Sequence, residues 1–112
     1  MSRKKTDLLQ GTLDLMILQT LGSMGHQHGW GIARRIEQVS EDALFLNQGT
    51  IYPALVRLEQ QGWIRSEWGV SENNRRAKFF EITRSGRRQL EKRTEKWLTI
   101  SATMSRLLGR PE

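Results

Sequence analysis

The sequence contains no cysteine, which excludes disulfides, thiolate metal sites and thiol nucleophiles. It also lacks any apolar run near the ~20 residues needed to cross a bilayer. The first seven residues are basic but lack the apolar stretch of a signal peptide. We therefore expect a soluble, cytoplasmic protein that does not associate with membranes.

Groups suited to metal binding or acid–base catalysis are also scarce. The two histidines, His26 and His28, form a H-x-H pair without an evident third ligand, which is a weak metal signal. We expect them to lie on the surface or to cap a helix. The acidic residues form no recognisable catalytic pair, although pairs made by folding are invisible at this level. The sequence thus favours a protein that is not an enzyme and needs no cofactor or metal.

What the chain does have is positive charge, and this charge is unevenly placed. Its 112 residues carry 18 Lys and Arg against 12 Asp and Glu, a net charge of +6. Residues 84–112 hold eight basic and three acidic groups, whereas residues 8–63 hold three basic and five acidic groups. Such a balance favours a polyanionic partner, most simply nucleic acid. The anion-binding surface of the protein would involve the N-terminal tail (residues 1–7), a region near residues 64–80 and the last helix.

Apolar spacing predicts three helices in the first half of the chain. The first runs from Thr12, as a cap, to about Met24, with Gly25 ending it. The second follows "GHQHGWG" and points Ile32, Ile36 and Val39 inward. After a brief strand at "ALFLN", Asn47 caps a third helix that runs to about Gln61, unless Pro53 delays its start to near Thr50.

The second half predicts a hairpin and one long helix. "WIRSEWGV" and "RRAKFFEIT" alternate as two strands, joined by the turn formers "SENN". Thr83 or Ser85 then caps a helix of about 25 residues, ~37 Å long. One apolar stripe is predicted along it, made of Leu90, Trp97, Ile100, Met104, Leu107 and Leu108.

The order of three helices and a hairpin predicts a winged helix-turn-helix, mostly α with a small antiparallel β-hairpin. In that architecture the third helix enters the DNA major groove and the hairpin, or wing, lies along the flanking backbone. The outward residues of the third helix are then candidate double-stranded DNA contacts: Gln48, Gly49, Thr50, Tyr52, Pro53 and Arg57. The wing supplies further amide, guanidinium and ammonium donors, namely Asn73, Asn74, Arg75, Arg76 and Lys78.

Several of these residues also have a structural explanation that does not involve DNA. "ENNRR" also suits an ordinary solvated turn, and Tyr52 could pack across the base of the hairpin. Arg57 could pair with Glu59 or Gln61 on the surface. The long last helix could fold back on its own domain instead of joining a second subunit.

Four blocks of sequence resemble the PadR family of bacterial transcriptional regulators. They are "LLQGTLDLMILQTL", "HGWGIARRIEQ", "NQGTIYPALVRLEQQGWI" and "ENNRRAKFFEITRSGRRQLE", in this order from about Leu8 to Trp97. The single helix after residue 83 resembles the smaller subclass of that family. "GTIYPAL" is kept intact, whereas "HQH" is less typical.

The resemblance implies a homodimer that binds a palindromic operator, usually as a repressor. Residues 1–83 would form the DNA-binding domain, and residues 84–112 a dimerisation helix packed with the same domain. The resemblance also supports Tyr52 as a contact to the DNA backbone. Some small members hold flat aromatic ligands between tryptophans at the dimer centre, where Trp97 would lie. Trp97 as a ligand platform and Trp97 as simple interface packing both stay open.

One rival keeps the fold but not the DNA, since winged helices also serve as protein-interaction modules. The basic, donor-rich third helix and wing favour DNA over this alternative. Trp30, Trp63 and Trp68 are expected in core or hairpin packing.

Overall fold

A computed structural model of the chain describes residues 9–110. Four helices and a three-stranded antiparallel sheet follow in the order α1, β1, α2, α3, β2, β3, α4. The bounds are α1 Gln10–Met24, β1 Gln27–His28, α2 Gly29–Val39, α3 Gln48–Gln60, β2 Ile64–Val70, β3 Arg76–Ile82 and α4 Arg84–Leu107. The predicted class, mostly helical with a small antiparallel hairpin, is confirmed. The basic tail predicted at residues 1–7 lies outside the described residues.

The core is aliphatic apart from Phe80 and joins α1, α2, α3 and the inner end of the hairpin. Its fully buried side chains are Ile17, Leu18, Leu21, Ile32, Ile51, Leu55, Leu58 and Ile64. In α3 the predicted inward set is confirmed, because Ile51, Ala54, Leu55 and Leu58 are all buried. In α2 the inward assignment of Val39 is wrong: it is the last helical residue and is exposed.

The helix ends follow local capping chemistry, with some corrections to the sequence prediction. Asn47 caps α3 by accepting a hydrogen bond from the Thr50 N–H at 3.0 Å, and Thr83 caps α4 in the same way from Gly86 at 3.0 Å. Gly25 ends α1 with a φ of 78°. Thr12 is not a cap, because α1 already begins at Gln10.

Pro53 lies inside α3, which begins at Gln48 and not near Thr50. Proline has no N–H to donate to the Gly49 carbonyl four residues earlier. Gly49 and Pro53 are both exposed, so solvent can satisfy that carbonyl. The helix therefore tolerates a proline on this side.

The sheet contains one strand that the sequence pattern missed and lacks one that it predicted. β1 pairs with β3 through Gln27 opposite Phe80 and His28 opposite Phe79, giving the strand order β1-β3-β2. "ALFLN" forms no strand. A two-residue strand in a glycine-rich segment has no periodicity to detect, so only its pairing with β3 defines it.

The last helix divides into two parts. Near its start Gly86 is buried, Leu90 packs beside Gly22 of α1, and the Arg93 guanidinium lies 4.9 Å from the Trp63 ring. Beyond Arg93 the predicted apolar stripe of this helix is exposed. The chain therefore has extents of 50 × 41 × 20 Å and a radius of gyration of 15.1 Å, above the ~13 Å expected for a compact domain of this length.

Within residues 9–110 no helix combines the length and apolarity that a membrane span requires.

Candidate nucleic-acid interface

An open cleft lies between α2, α3 and the outer end of the hairpin. Its volume is about 1080 Å³. We call it the basic cleft, because five basic side chains and one acidic side chain line it: Arg34, Arg35, Arg75, Arg76, Lys78 and Glu72. This excess of cations on one concave surface suits a phosphate-bearing partner.

Strand pleating explains how the hairpin reaches the basic cleft. On one face the inner pairs, Ile64 with Ile82 and Ser66 with Phe80, lie at or next to the core. Continuing outward on the same face, Trp68 pairs with Lys78 and Val70 with Arg76. The face that buries the core near its base therefore presents cations and an indole beyond it.

The tip of the hairpin is a tight turn, and Asn74 adopts the left-handed backbone conformation within it. The Ser71 N–H donates to the Arg75 carbonyl at 2.8 Å, and the Asn74 N–H donates to the Ser71 carbonyl at 2.9 Å. Asn74 has a φ of 56°, a conformation that asparagine adopts more readily than most residues. Asn73 and Arg75 line the cleft, whereas Asn74 does not.

The two remaining wing cations are each held by a neighbouring side chain. The Arg76 guanidinium lies 4.6 Å from the Trp68 ring, so it is held against the strand. The Lys78 ammonium lies 3.6 Å from Glu59 of α3. Glu59 also accepts a 2.5 Å hydrogen bond from the Ser66 hydroxyl. The acidic side chain thus joins α3 to both strands of the wing.

The outward surface of α3 is a continuous stripe at helical spacing. Its exposed members are Gln48, Gly49, Tyr52, Pro53, Val56 and Gln60. Gln48 and Tyr52 line the basic cleft. Thr50 is half-buried and its hydroxyl donates to the Asn47 side chain at 3.1 Å, so that hydroxyl is engaged in the cap.

Arg57 does not lie with this stripe. Its guanidinium contacts the buried carboxylate of Asp14 in α1 at 2.6 Å. The expectation that Arg57 points away from the core is therefore wrong, and its surface pairing with Glu59 or Gln61 is not observed. The long-range partner could not be identified from sequence, because 43 residues separate the two side chains.

Sequence reasoning missed part of the interface on α2 and α3. Arg34, Arg35 and Gln38 line the cleft opposite the wing, and Trp30 is 59% exposed beside them. Nothing in the sequence pattern of the second helix singled out Arg34 and Arg35 as members of a binding surface. Val56 continues the α3 stripe four residues after Tyr52, and this spacing was the available signal.

The tryptophans and histidines have separate roles. Trp63 packs against the core and Trp68 against Arg76 of the hairpin, as predicted, whereas Trp30 is exposed. His28 caps α2 by accepting from the Gly31 N–H at 2.9 Å, and His26 stacks on Phe79 with ring centroids 4.6 Å apart. Among residues 9–110, no cluster of three potential metal ligands includes them.

The predicted dimerisation residues fall into two groups. Leu90 packs against the core of its own chain. The distal members are exposed: Trp97 by 46%, Ile100 by 46%, Met104 by 50% and Leu107 by 77%. Leu108 lies at the helix cap and is exposed as well. Large apolar side chains that recur on one exposed helix face are typical of a surface that another protein covers.

Both the sequence and the fold of the chain resemble those of known transcriptional regulators. Residues 17–92 match the model of the transcriptional regulator PadR-like family. A PadR family transcription regulator from hypervirulent Clostridium difficile R20291 is 32% identical, with 86% of this chain and 97% of that one covered and a TM-score of 0.72. A transcriptional regulator from Clostridium thermocellum is 27% identical over 90% of this chain and 97% of its own, with a TM-score of 0.79. A PadR-like transcriptional regulator from Bacillus cereus is 27% identical over 92% and 97%, with a TM-score of 0.77.

Proposed function

The chain belongs to the PadR-like family of transcriptional regulators, whose members are not enzymes, and we propose that it regulates transcription as a dimeric repressor that binds a palindromic operator in double-stranded DNA. The single observation that carries this proposal is the basic cleft. It brings cations from α2 and the hairpin to one surface, next to the exposed N-terminal part of α3.

The outward stripe of α3 is suited to the major groove. Recognition helices read bases mainly from their N-terminal residues. Here Gln48 offers an amide that can bond an adenine edge, and Gly49 lets the backbone approach closely. Tyr52 and Pro53 follow one turn later, and Tyr52, which lines the basic cleft, would contact a phosphate. Val56 offers an apolar contact to a thymine methyl group.

The wing and α2 are proposed to hold the duplex backbone on either side of that helix. Asn73, Arg75 and Arg76 face the cleft from the wing, while Arg34 and Arg35 face it from α2. Phosphate contacts of this kind fix the register of a protein on DNA without reading its sequence. Asn74 contributes the turn that presents its neighbours.

Dimerisation is proposed to occur through the distal half of α4, so that residues 1–83 form the DNA-binding unit and residues 84–112 the dimerisation segment. The exposed side chains from Trp97 to Leu107 span about 16 Å of helix. A two-fold dimer would present two α3 helices to half-sites ~34 Å apart. This symmetry matches a palindrome and raises affinity above that of one small basic surface.

The effector site is proposed at the same interface. Trp97 from each subunit would meet near the two-fold axis, and the ring faces would accept a flat aromatic or hydrophobic molecule. Occupancy would alter the angle between subunits and release the operator. Such a regulator acts on DNA in the cytoplasm.

The test is fluorescence anisotropy with a labelled duplex taken from upstream of the protein's own gene. A scrambled duplex of equal length serves as the control, and both are measured over a series of salt concentrations. We expect tight binding to the first duplex and weak, steeply salt-dependent binding to the second. An absence of binding to both at low salt would refute the proposal and favour a winged helix that binds protein.

A further inference from the structure

One buried ion pair lies outside the basic cleft and links two helices. Asp14 is in the second turn of α1, and its side chain is only 6% exposed. Its carboxylate accepts a hydrogen bond from the Arg57 guanidinium at 2.6 Å. A buried carboxylate is costly unless it is paired, so this ion pair cannot be broken without consequence.

Arg57 is committed to this pair by its geometry. Its side chain is 30% exposed, and its Nε atom is buried without a hydrogen-bond partner among residues 9–110. This hydrogen bond holds the guanidinium toward α1, and swinging it out toward solvent would leave the buried Asp14 carboxylate unpaired. Arg57 therefore differs from Arg34, Arg35 and Arg75, whose side chains are exposed in the basic cleft.

The Asp14–Arg57 pair can fix the orientation of α3 against α1, which the apolar contacts around it do not. The core around α1 and α3 is otherwise aliphatic, with side chains such as Ile17, Leu55 and Leu58, and hydrophobic burial is non-directional. A short charge-assisted hydrogen bond fixes orientation more strictly. Rotation of α3 about its own axis would move Gln48 and Tyr52 relative to the wing.

The same pair lies on a contact path to the last helix. α1 holds Asp14 on one turn, and two turns later Gly22 receives Leu90 of α4. Contacts therefore link α3 through α1 to α4, the helix whose distal half carries the exposed apolar side chains.

We infer that Arg57 is a positioning residue for operator binding: together with Asp14 it sets the orientation of α3, and it does not itself contact DNA. This inference rests on the proposed function. It predicts that Arg57 contributes to sequence discrimination and contributes nothing to the number of phosphates neutralised.

The experiment compares three variants with the native protein on the upstream and scrambled duplexes. Asp14→Leu with Arg57→Met replaces the pair by apolar side chains, a change that buried ion pairs often tolerate in folding. Asp14→Asn retains Arg57 but removes its charged partner. Arg57→Lys retains the charge but loses the planar fork, and it serves if the double variant does not fold. Circular dichroism and thermal melting check the fold of each.

We expect the double variant to bind the upstream duplex at least ~10-fold more weakly, the scale of one mismatched base pair. Binding to the scrambled duplex and the salt slope should stay unchanged. Asp14→Asn should weaken specific binding too, and Arg57→Lys should do so by a smaller factor. A parallel loss on removal of Asp14, which is buried away from the basic cleft, is what a positioning role requires.

Two results would overturn the inference. A salt slope reduced by about 0.9 on removal of Arg57, with Asp14→Asn binding normally, would make Arg57 a phosphate contact. Unaltered discrimination in all three variants would make the pair purely structural. Failure of the native protein to bind either duplex would instead refute the proposed function, and this inference with it.

Discussion

Gly86 provides a sharp test of how α4 is attached to the winged helix. A Cβ atom at this position would lie 2.0 Å from the Trp63 carbonyl oxygen and 2.8 Å from Cγ1 of Ile82. The Trp63 carbonyl cannot move easily, because it accepts a hydrogen bond from the Thr83 N–H at 3.0 Å. Thr83 in turn donates its hydroxyl to the Gly62 carbonyl at 2.7 Å. Backbone therefore meets backbone here without room for a methyl group.

We predict that Gly86→Ala destabilises the fold by about 3 kcal/mol, at the upper end of the range for overpacking. For a domain of this size the Tm should fall by roughly 10 °C. The first turn of α4 must shift to relieve the clash, and Trp97 lies three turns further along the same helix. The dimer should consequently weaken. Differential scanning calorimetry measures the first effect, and light scattering over a concentration series measures the second.

Gly11→Ala is the matched control. Gly11 lies in the first turn of α1, is exposed, and has no atom within 4 Å of the position of an added Cβ. Alanine there should be neutral or stabilising by up to about 1 kcal/mol. A Gly86→Ala protein that melts within about 2 °C of the native protein would contradict the predicted clash, since even 1 kcal/mol should exceed that shift.

Three further substitutions test the interface, the wing and the α3 cap. Trp97→Ala should shift the monomer–dimer equilibrium toward monomer in light scattering, whereas Leu98→Ala, also exposed but off the apolar stripe, should leave it unchanged. Replacing Arg75 and Arg76 by Ala should weaken binding to every duplex and reduce the salt slope by about 0.9 for each phosphate that is no longer neutralised. Asn47→Ala removes the acceptor for the Thr50 N–H and should cost about 1 kcal/mol in urea unfolding.

The wing and the cap each have a control of equal chemistry. Arg87 and Arg88 are exposed on α4 outside the basic cleft, so replacing both by Ala removes the same charge. A salt slope that falls equally in the two double variants would contradict a contact specific to the wing. Asn47→Asp keeps the accepting oxygen and should unfold like the native protein. Equal destabilisation by Asp and Ala would show that the cap is not the cause.

The order and type of the main elements could be predicted from the sequence. The signals were local: apolar residues at helical spacing, the caps at Asn47 and Thr83, and the alternation on either side of "SENN". Each depends only on residues that are close in sequence. The winged-helix prediction and the location of α3 followed from them. The resemblance to PadR regulators rested on whole blocks of sequence and is confirmed by the family match.

Which side chains meet depends on the packed fold and could not be predicted. β1 exists because Gln27 and His28 pair with β3, which is distant in sequence. Arg34 and Arg35 become part of the basic cleft because the hairpin brings the wing opposite α2. Arg57 pairs with α1 because folding places Asp14 within hydrogen-bond distance. A helical wheel gives the direction of a side chain, but only the packed fold supplies the partner that holds it.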